Sequence, residues 1–359
     1  MSASRALLAA VLAVVGACAE SERIAATPDT HADTRDADTR DADTLDPDSN
    51  DTLDPDSNDT LDPDTSNPTT LRGPCPRASR LGGFQVTAAL DYAYVEGSVS
   101  DGVVPVTVLE VVPDSERGDC RLLAKRNPFC DPPCESGETC DFDGACIAYP
   151  TPLDLGVVTV QGLLAPVSMT ALEPGMSYFE TRLPNPPWAA GAALSLSSSG
   201  GASEPLALHA LAIPTLVPLG PWEVASDGAD PADLDVRWEP PPTPSPSLEV
   251  VLTLLIDQHG NAPRSLECRF ADTGHGQVPR ALLASLVASG VSGYPSGRLV
   301  RRSADSQVVQ RPVAGCIDLL ATSPRSVPVS VSGHIPCRKD ADCPVDLTCD
   351  RPTETCVPR

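Results

Sequence analysis

Aromatic residues, lysine and long apolar runs are scarce in this 359-residue chain. Phe, Trp and Tyr together make up 4% of the residues, and lysine occurs only at Lys125 and Lys339. The most apolar later stretch, 206–219, contains a histidine and two prolines, and it is shorter than the roughly 20 apolar residues of a membrane-spanning helix. The net charge of −24 repels phosphate, which argues against nucleic acid as a partner.

Catalytic signatures are also missing. The chain has no Gly-x-Ser-x-Gly, no His-Glu-x-x-His and no glycine-rich phosphate loop. The best remaining group is Asp257, His259, Asp272 and His275. On facing loops these side chains could bind a divalent metal or act as acid and base, but turn chemistry beside glycine and asparagine explains each of them. We predict no enzyme, catalytic residue, metal or cofactor, with a secreted hydrolase using His259 and His275 as an alternative.

The N-terminus has the order of a secretory signal. Arg5 precedes an apolar run at 6–15, and the sequence VGAC ends at Cys18. This stretch resembles the lipobox of bacterial lipoproteins, in which signal peptidase cleaves before a lipidated cysteine. The resemblance implies that the signal peptide 1–17 is removed and that Cys18 is a lipidated membrane anchor. Because Ala19 is not aspartate, it also implies the outer membrane.

Residues 18–72 are acidic and repetitive. Ala32–Asp36 recurs as Ala37–Asp41, and Asp43–Asn50 recurs as Asp51–Asn58. The segment has 16 Asp plus Glu against 4 Arg, a net charge of −12. Such a composition cannot bury enough apolar surface to offset its chain entropy. We therefore predict a disordered tether.

The aspartate repeats also suggest calcium. Their acidic and amide side chains occupy the first, third and fifth positions of a calcium loop, at Asp46, Asp48, Asn50, Asp54, Asp56 and Asn58. The sixth position lacks glycine and the twelfth lacks glutamate, both of which such a loop needs. A solvated acidic spacer is the favoured interpretation, and a calcium-responsive adhesin is a second alternative.

The twelve cysteines after Cys18 predict disulfides, because their number is even and the chain carries an export signal. Eight of them form two short clusters with few large apolar side chains, Cys130, Cys134, Cys140 and Cys146, then Cys337, Cys343, Cys349 and Cys356. Segments this small depend on cross-links, at about 2–4 kcal/mol per bridge. Neither cluster has the Cys-x-x-Cys spacing usual in structural zinc sites.

The sequence leaves three pairings open within each cluster. Analogy with small secreted modules favours a crossed pattern, with Cys130 bonded to Cys140 and Cys134 bonded to Cys146. The remaining four cysteines lie in the β-rich body. They most simply pair in chain order, as Cys75 with Cys120 and Cys268 with Cys316.

The body between Cys75 and His334 is predicted to be mainly β. Short alternating or β-branched stretches between Gly, Pro, Asn and Asp indicate strands. The clearest are Gly83–Ala88, Val103–Val112, Leu155–Val160, Leu234–Trp238, Leu248–Ile256 and Val327–Ser332. One helix is predicted over Pro279–Ser289, with proline at its start and Gly290 just past its end.

The stretch Leu234–Trp238, with its proline-rich turn and Leu248–Ile256, resembles the buried-Trp strand and following strand of fibronectin-type-III and related immunoglobulin-like domains. The resemblance implies sandwich architecture and no particular function. The predicted domains are 73–219 with a Cys-rich insert at 129–147, 220–334, and a C-terminal four-Cys module at 335–359.

The whole layout is similar to exported lipoproteins of myxobacteria-like bacteria, and the scarcity of lysine fits a high-GC genome. That resemblance implies no activity. We therefore predict a non-catalytic, outer-membrane-anchored cell-surface lipoprotein that presents its sandwiches and Cys-rich modules for binding or envelope structure. Its expected partners are the membrane, through the lipid anchor, and an envelope or extracellular protein or glycan.

Overall fold

A computed structural model of the protein describes residues 71–103, 112–124, 129–141, 143–225, 233–259 and 264–359. The predicted leader, Cys18 and the acidic repeats lie outside the described residues, as does most of the strand predicted at Val103–Val112. No helix in the described ranges is long and apolar enough to cross a membrane.

The described chain is mainly β, as predicted, with one short α-helix and two 3₁₀ turns. The strands are β1 (Arg80–Ala88), β2 (Ala93–Val99), β3 (Val112–Arg117), β4 (Cys120–Ala124), β5 (Glu138–Cys140), β6 (Cys146–Ala148), β7 (Val158–Gln161), β8 (Val167–Met169), β9 (Tyr178–Glu180), β10 (Ala193–Ser198), β11 (Ala207–Leu211), β12 (Pro218–Leu219), β13 (Trp222–Val224), β14 (Leu234–Trp238), β15 (Leu248–Leu255), β16 (Arg264–Ala271), β17 (His275–Val278), β18 (Ser296–Val309), β19 (Gly315–Val331), β20 (Leu347–Asp350) and β21 (Thr355–Pro358). The helix α1 spans Arg280–Ala288, and the 3₁₀ turns span Arg77–Ser79 and Asp340–Asp342.

Ten strands form one large sheet, in the order β3-β4-β16-β15-β18-β19-β1-β2-β9, with β13 also paired to β19. Strands β1 and β13 run parallel to β19, and the other pairs are antiparallel. The sheet takes strands from both sides of Leu219. The predicted division into separate sandwiches 73–219 and 220–334 is therefore corrected, because long-range pairing joins the two ranges in a single sheet.

Two hydrophobic cores lie on this sheet. In the first, Phe84 and Val95 of the large sheet cluster with Val160 and Leu196 of a four-stranded sheet, β11-β10-β7-β8. The second core combines β15 and β16 with α1 and with a three-stranded sheet, β12-β14-β17. Apolar side chains alternate along these strands, and their inward faces meet between layers. The result is a sandwich-like arrangement in which one sheet serves both cores.

Several local predictions are confirmed. Strand β14 coincides with the predicted Leu234–Trp238, and Trp238 is buried with its ring stacked on Phe270. Strands β14 and β15 belong to different sheets. In α1 the leucines at 282, 283 and 286 are buried, because their spacing places them on one helical face.

Polar side chains of β18 form hydrogen bonds with the backbone along the unpaired edge of strand β11. They accept hydrogen bonds from backbone N–H groups that would otherwise lack partners at a sheet edge. The pairs are Ala207 with Gln307, His209 with Asp305 and Leu211 with Ser303, at N···O distances of 2.9, 3.1 and 3.0 Å. His209, the histidine of the apolar stretch 206–219, is thus an edge residue held through its backbone.

The disulfides match the prediction within the clusters and correct it in the body. Each cluster has the crossed pattern, with bonds Cys130–Cys140, Cys134–Cys146, Cys337–Cys349 and Cys343–Cys356. The body pairs Cys75 with Cys316 and Cys120 with Cys268. Pairing in chain order is wrong, because β4 lies beside β16 with Cys120 directly opposite Cys268.

Candidate binding face

The outer face of β1, β2 and β9 carries exposed side chains over a buried layer. Along β2, Ala93, Val95 and Val99 are buried, whereas Glu96 is exposed. Glu96 lies opposite Gln85 of β1 on one side and opposite Phe179 of β9 on the other. Because side chains of paired residues project to the same face of a sheet, an amide, a carboxylate and an aromatic ring form one row.

Three aromatic rings form a continuous strip at this end of the sheet. Tyr92 stacks on Tyr94 with ring centroids 5.9 Å apart, and Tyr94 contacts Phe179 at 6.2 Å. Tyr92 is 61% exposed and Phe179 is 50% exposed, beside Leu90 at 71% and Leu172 at 52%. We call Tyr92, Tyr94 and Phe179 the aromatic strip. Clustered exposed apolar side chains commonly mark a binding surface.

A groove of about 540 Å³ adjoins the aromatic strip, with Phe179 and Leu172 in its wall. Its floor follows the backbone at Gly83, where an added Cβ would overlap a carboxylate oxygen of Asp318. Any larger side chain at this position would therefore clash, so the floor of the groove requires glycine here. At the same groove, Arg80 forms a 3.0 Å ion pair with Asp318. Burial raises the pKa of Asp318 and Arg80 opposes this shift.

Tyr178 lies beneath the strip and fixes the orientation of β9. Its ring is fully buried and packs against Phe84 at 5.6 Å. Its hydroxyl accepts a hydrogen bond from the Leu155 N–H at 2.7 Å and donates to the Asp154 carboxylate at 3.0 Å. Burial raises the pKa of Tyr178 to about 12, so the hydroxyl stays a donor at neutral pH. With Tyr178 directed inward, strand alternation directs Phe179 outward.

We expect Tyr178→Phe to lower the free energy of unfolding by about 1–3 kcal/mol, because the buried Leu155 N–H loses its acceptor. Urea denaturation followed by tryptophan fluorescence measures the change. Tyr149→Phe is the matched control, since Tyr149 is 48% exposed, and it should leave the midpoint unchanged. Equal midpoints for the two variants would contradict a bonding role for the Tyr178 hydroxyl.

The four residues singled out as a possible hydrolase site do not form a cluster, and three of them are bonded to other side chains. Buried Asp257 accepts a hydrogen bond from Ser292, whereas buried Asp272 is paired with Arg301 at 2.6 Å. His275 is exposed on β17. In the described part of the chain, no three of these potential ligands come within metal-binding distance.

His259 contacts the C-terminal module instead. Its Nε2 lies 3.4 Å from the Glu354 carboxylate. Close by, the Gly293 N–H donates to the Thr353 carbonyl at 2.8 Å, and the Arg338 guanidinium lies 5.0 Å from the centre of the Tyr294 ring. These contacts attach the module to the body.

The groups of potential metal ligands found among the described residues all include clustered cysteines, such as Cys337, Cys343 and Cys349. Each of those sulfurs is in a disulfide bond. Zinc requires thiolates, so these clusters act as covalent cross-links in this structure.

Sequence reasoning missed the aromatic strip. The spacing of Tyr92 and Tyr94 was an available signal, because residues two apart in an extended segment share a face. Nothing local marked Phe179, which joins them only through the pairing of β9 with β2. The chain matches no protein-family model and no curated protein. Its function must therefore be inferred from its own residues.

Proposed function

We propose that this protein is a non-catalytic lipoprotein, anchored in the outer membrane through Cys18, that presents its β body for binding at the cell surface. The aromatic strip is the observation that carries the binding role. Three contiguous rings on one exposed face are notable in a chain with 4% aromatic residues, and burying them against a ligand would gain free energy.

Two further features support the export part of the proposal. The VGAC sequence ending at Cys18 supplies the lipidation signal. Twelve cysteines form six disulfides in the described part of the chain, and such cross-links form and persist in oxidising compartments. A body cross-linked by disulfides is therefore consistent with a location outside the cytosol.

The acidic segment gives the body its distance from the membrane. As a flexible coil, 18–72 would span roughly 40 Å, and like charges favour larger extensions. The last residue of this segment and the chain after it are fixed to the body, because Arg72 forms a 3.4 Å ion pair with buried Asp305 and Cys75 is bonded to Cys316. The proposed tether thus ends at a defined attachment point.

We expect Cys18→Ala to move most of the protein from the membrane fraction to the soluble fraction, because the acylated sulfur is lost. Cells expressing each form are fractionated and the membranes washed with carbonate. Ala19→Ser is the control, since it retains the cysteine and should stay in the outer membrane. Protease treatment of whole cells then tests exposure of the body at the surface. A Cys18→Ala protein that still pellets with washed membranes would refute lipid anchoring.

A further inference from the structure

We propose that the aromatic strip and the adjoining groove bind an uncharged polysaccharide. This inference rests on the proposed function and gives its binding role a ligand class. It depends on three properties of the face: exposed rings in a row, hydrogen-bonding groups beside them, and the exposed carboxylate of Glu96.

The rings provide the apolar part of the site. A pyranose ring has faces made of C–H groups and edges made of hydroxyls, so it stacks on an aromatic face while its edges stay available for hydrogen bonds. Tyr92 and Phe179 are both at least half exposed, and Tyr94 joins them into one strip. A row of rings suits a linear polymer of sugars better than a single small molecule.

The polar groups lie where the hydroxyl edges would be. Glu96 is directly opposite Phe179, and Gln85 is directly opposite Glu96. The carboxylate of Glu96 supplies acceptors, and the amide of Gln85 supplies both donors and an acceptor. Sugar hydroxyls can pair with both groups, because each hydroxyl can donate and accept a hydrogen bond. Ser98 and Arg80 extend the polar lining along the groove. Hydrogen-bonding groups therefore lie directly beside the stacking rings on neighbouring strands.

The charge of the face selects against acidic polymers. Glu96 is exposed between Gln85 and Phe179, whereas the two arginines near the groove, Arg80 and Arg182, are already paired with Asp318 and Glu180 at 3.0 and 3.3 Å. A polyanion would be repelled by this surface, whereas a neutral chain meets no such penalty. A protein partner is less suited, because a stable interface needs about 1,200–2,000 Å² with a packed apolar centre, and here the rings form a narrow row with polar flanks.

The test uses the full-length protein in detergent micelles. Insoluble cellulose, chitin and starch are incubated with it, and neutral glucan and mannan are used in affinity electrophoresis, with alginate as the acidic comparison. We expect binding to at least one neutral polysaccharide and none to alginate. Phe179→Ala and Tyr92→Ala should each weaken binding about tenfold, the size expected for truncation of an important contact residue.

Phe129→Ala is the matched control, because Phe129 is 85% exposed and lies in the first Cys-rich module, away from the strip in the chain. It should bind like the unchanged protein, and all variants should keep the same unfolding midpoint. The inference fails if none of the neutral polysaccharides binds, if alginate binds best, or if Phe129→Ala weakens binding as much as Phe179→Ala. Such a failure leaves lipid anchoring unaffected, since fractionation of the Cys18→Ala protein measures anchoring independently.

Discussion

Replacing Asp272 with alanine lowers the free energy of unfolding by about 3–5 kcal/mol, the expected result of breaking a buried ion pair from one side. The Arg301 side chain is 1% exposed and the Asp272 side chain 0%. Two hydrogen bonds join them, from Nε to Oδ2 at 2.6 Å and from Nη2 to Oδ1 at 3.1 Å. Removing the carboxylate leaves a buried guanidinium without a counter-ion.

The pair also connects parts of the second core. Arg301 lies on β18 of the large sheet and donates to the carbonyl of Thr215 at 3.1 Å and to that of Glu239 at 2.6 Å. Asp272 accepts a further hydrogen bond from the Trp238 indole N–H at 2.7 Å. The Asp272→Ala change therefore removes the counter-ion of Arg301 and the acceptor of Trp238 together, which accounts for the large effect.

Chemical denaturation of the purified protein measures this loss. Asp235→Ala is the matched control, because the Arg237–Asp235 pair is 67% and 41% exposed, and exposed pairs contribute only about 0–1 kcal/mol. The double change Asp272→Leu with Arg301→Met should recover part of the stability, since no charge is then left buried, while the Trp238 indole N–H still lacks its acceptor. Equal losses for Asp272→Ala and Asp235→Ala would show that the buried pair does not stabilise the fold.

Local signals in the sequence predicted the local structure well. Proline before the first turn and leucines on one face defined α1, and alternation defined β14 and most of β15. These features depend on residues within a few positions of one another. The crossed disulfides of the cysteine clusters are similarly local, with sequence separations of 10 to 13 residues.

The long-range features were not predictable in the same way. Cys75 and Cys316 are 241 residues apart, and they meet only because β1 runs parallel to β19. The single large sheet depends on the same pairings, so composition near Leu219 could not reveal it. Asp272 was interpreted as a turn residue, whereas a distant arginine on β18 makes it part of the core. Each of these contacts depends on the order of strands in the sheet, and that order cannot be predicted from the spacing of residues along the chain.

Replacing both Cys75 and Cys316 with serine lowers the free energy of unfolding by about 4–5 kcal/mol, because the unfolded chain loses a long closed loop. The Cys120–Cys268 bond lies inside that loop and shortens it in the oxidised protein. The expected loss of stability is therefore that of a closed loop of about 100 residues. Serine keeps the backbone N–H that Cys75 donates to Asp318 at 3.3 Å, so the cross-link is the interaction that the change removes.

Urea denaturation followed by tryptophan fluorescence reports this loss, because Trp188 and Trp238 are buried in different cores. The double change of Cys134 and Cys146 to serine is the control. That bond closes a separation of only 12 residues within the first module, so its loss should loosen the module and leave the transition of the body unchanged. If both double variants shift the body's midpoint equally, Cys75–Cys316 has no special role in joining the chain at Arg72 to the large sheet. A selective shift would instead support a fixed attachment point for the proposed tether.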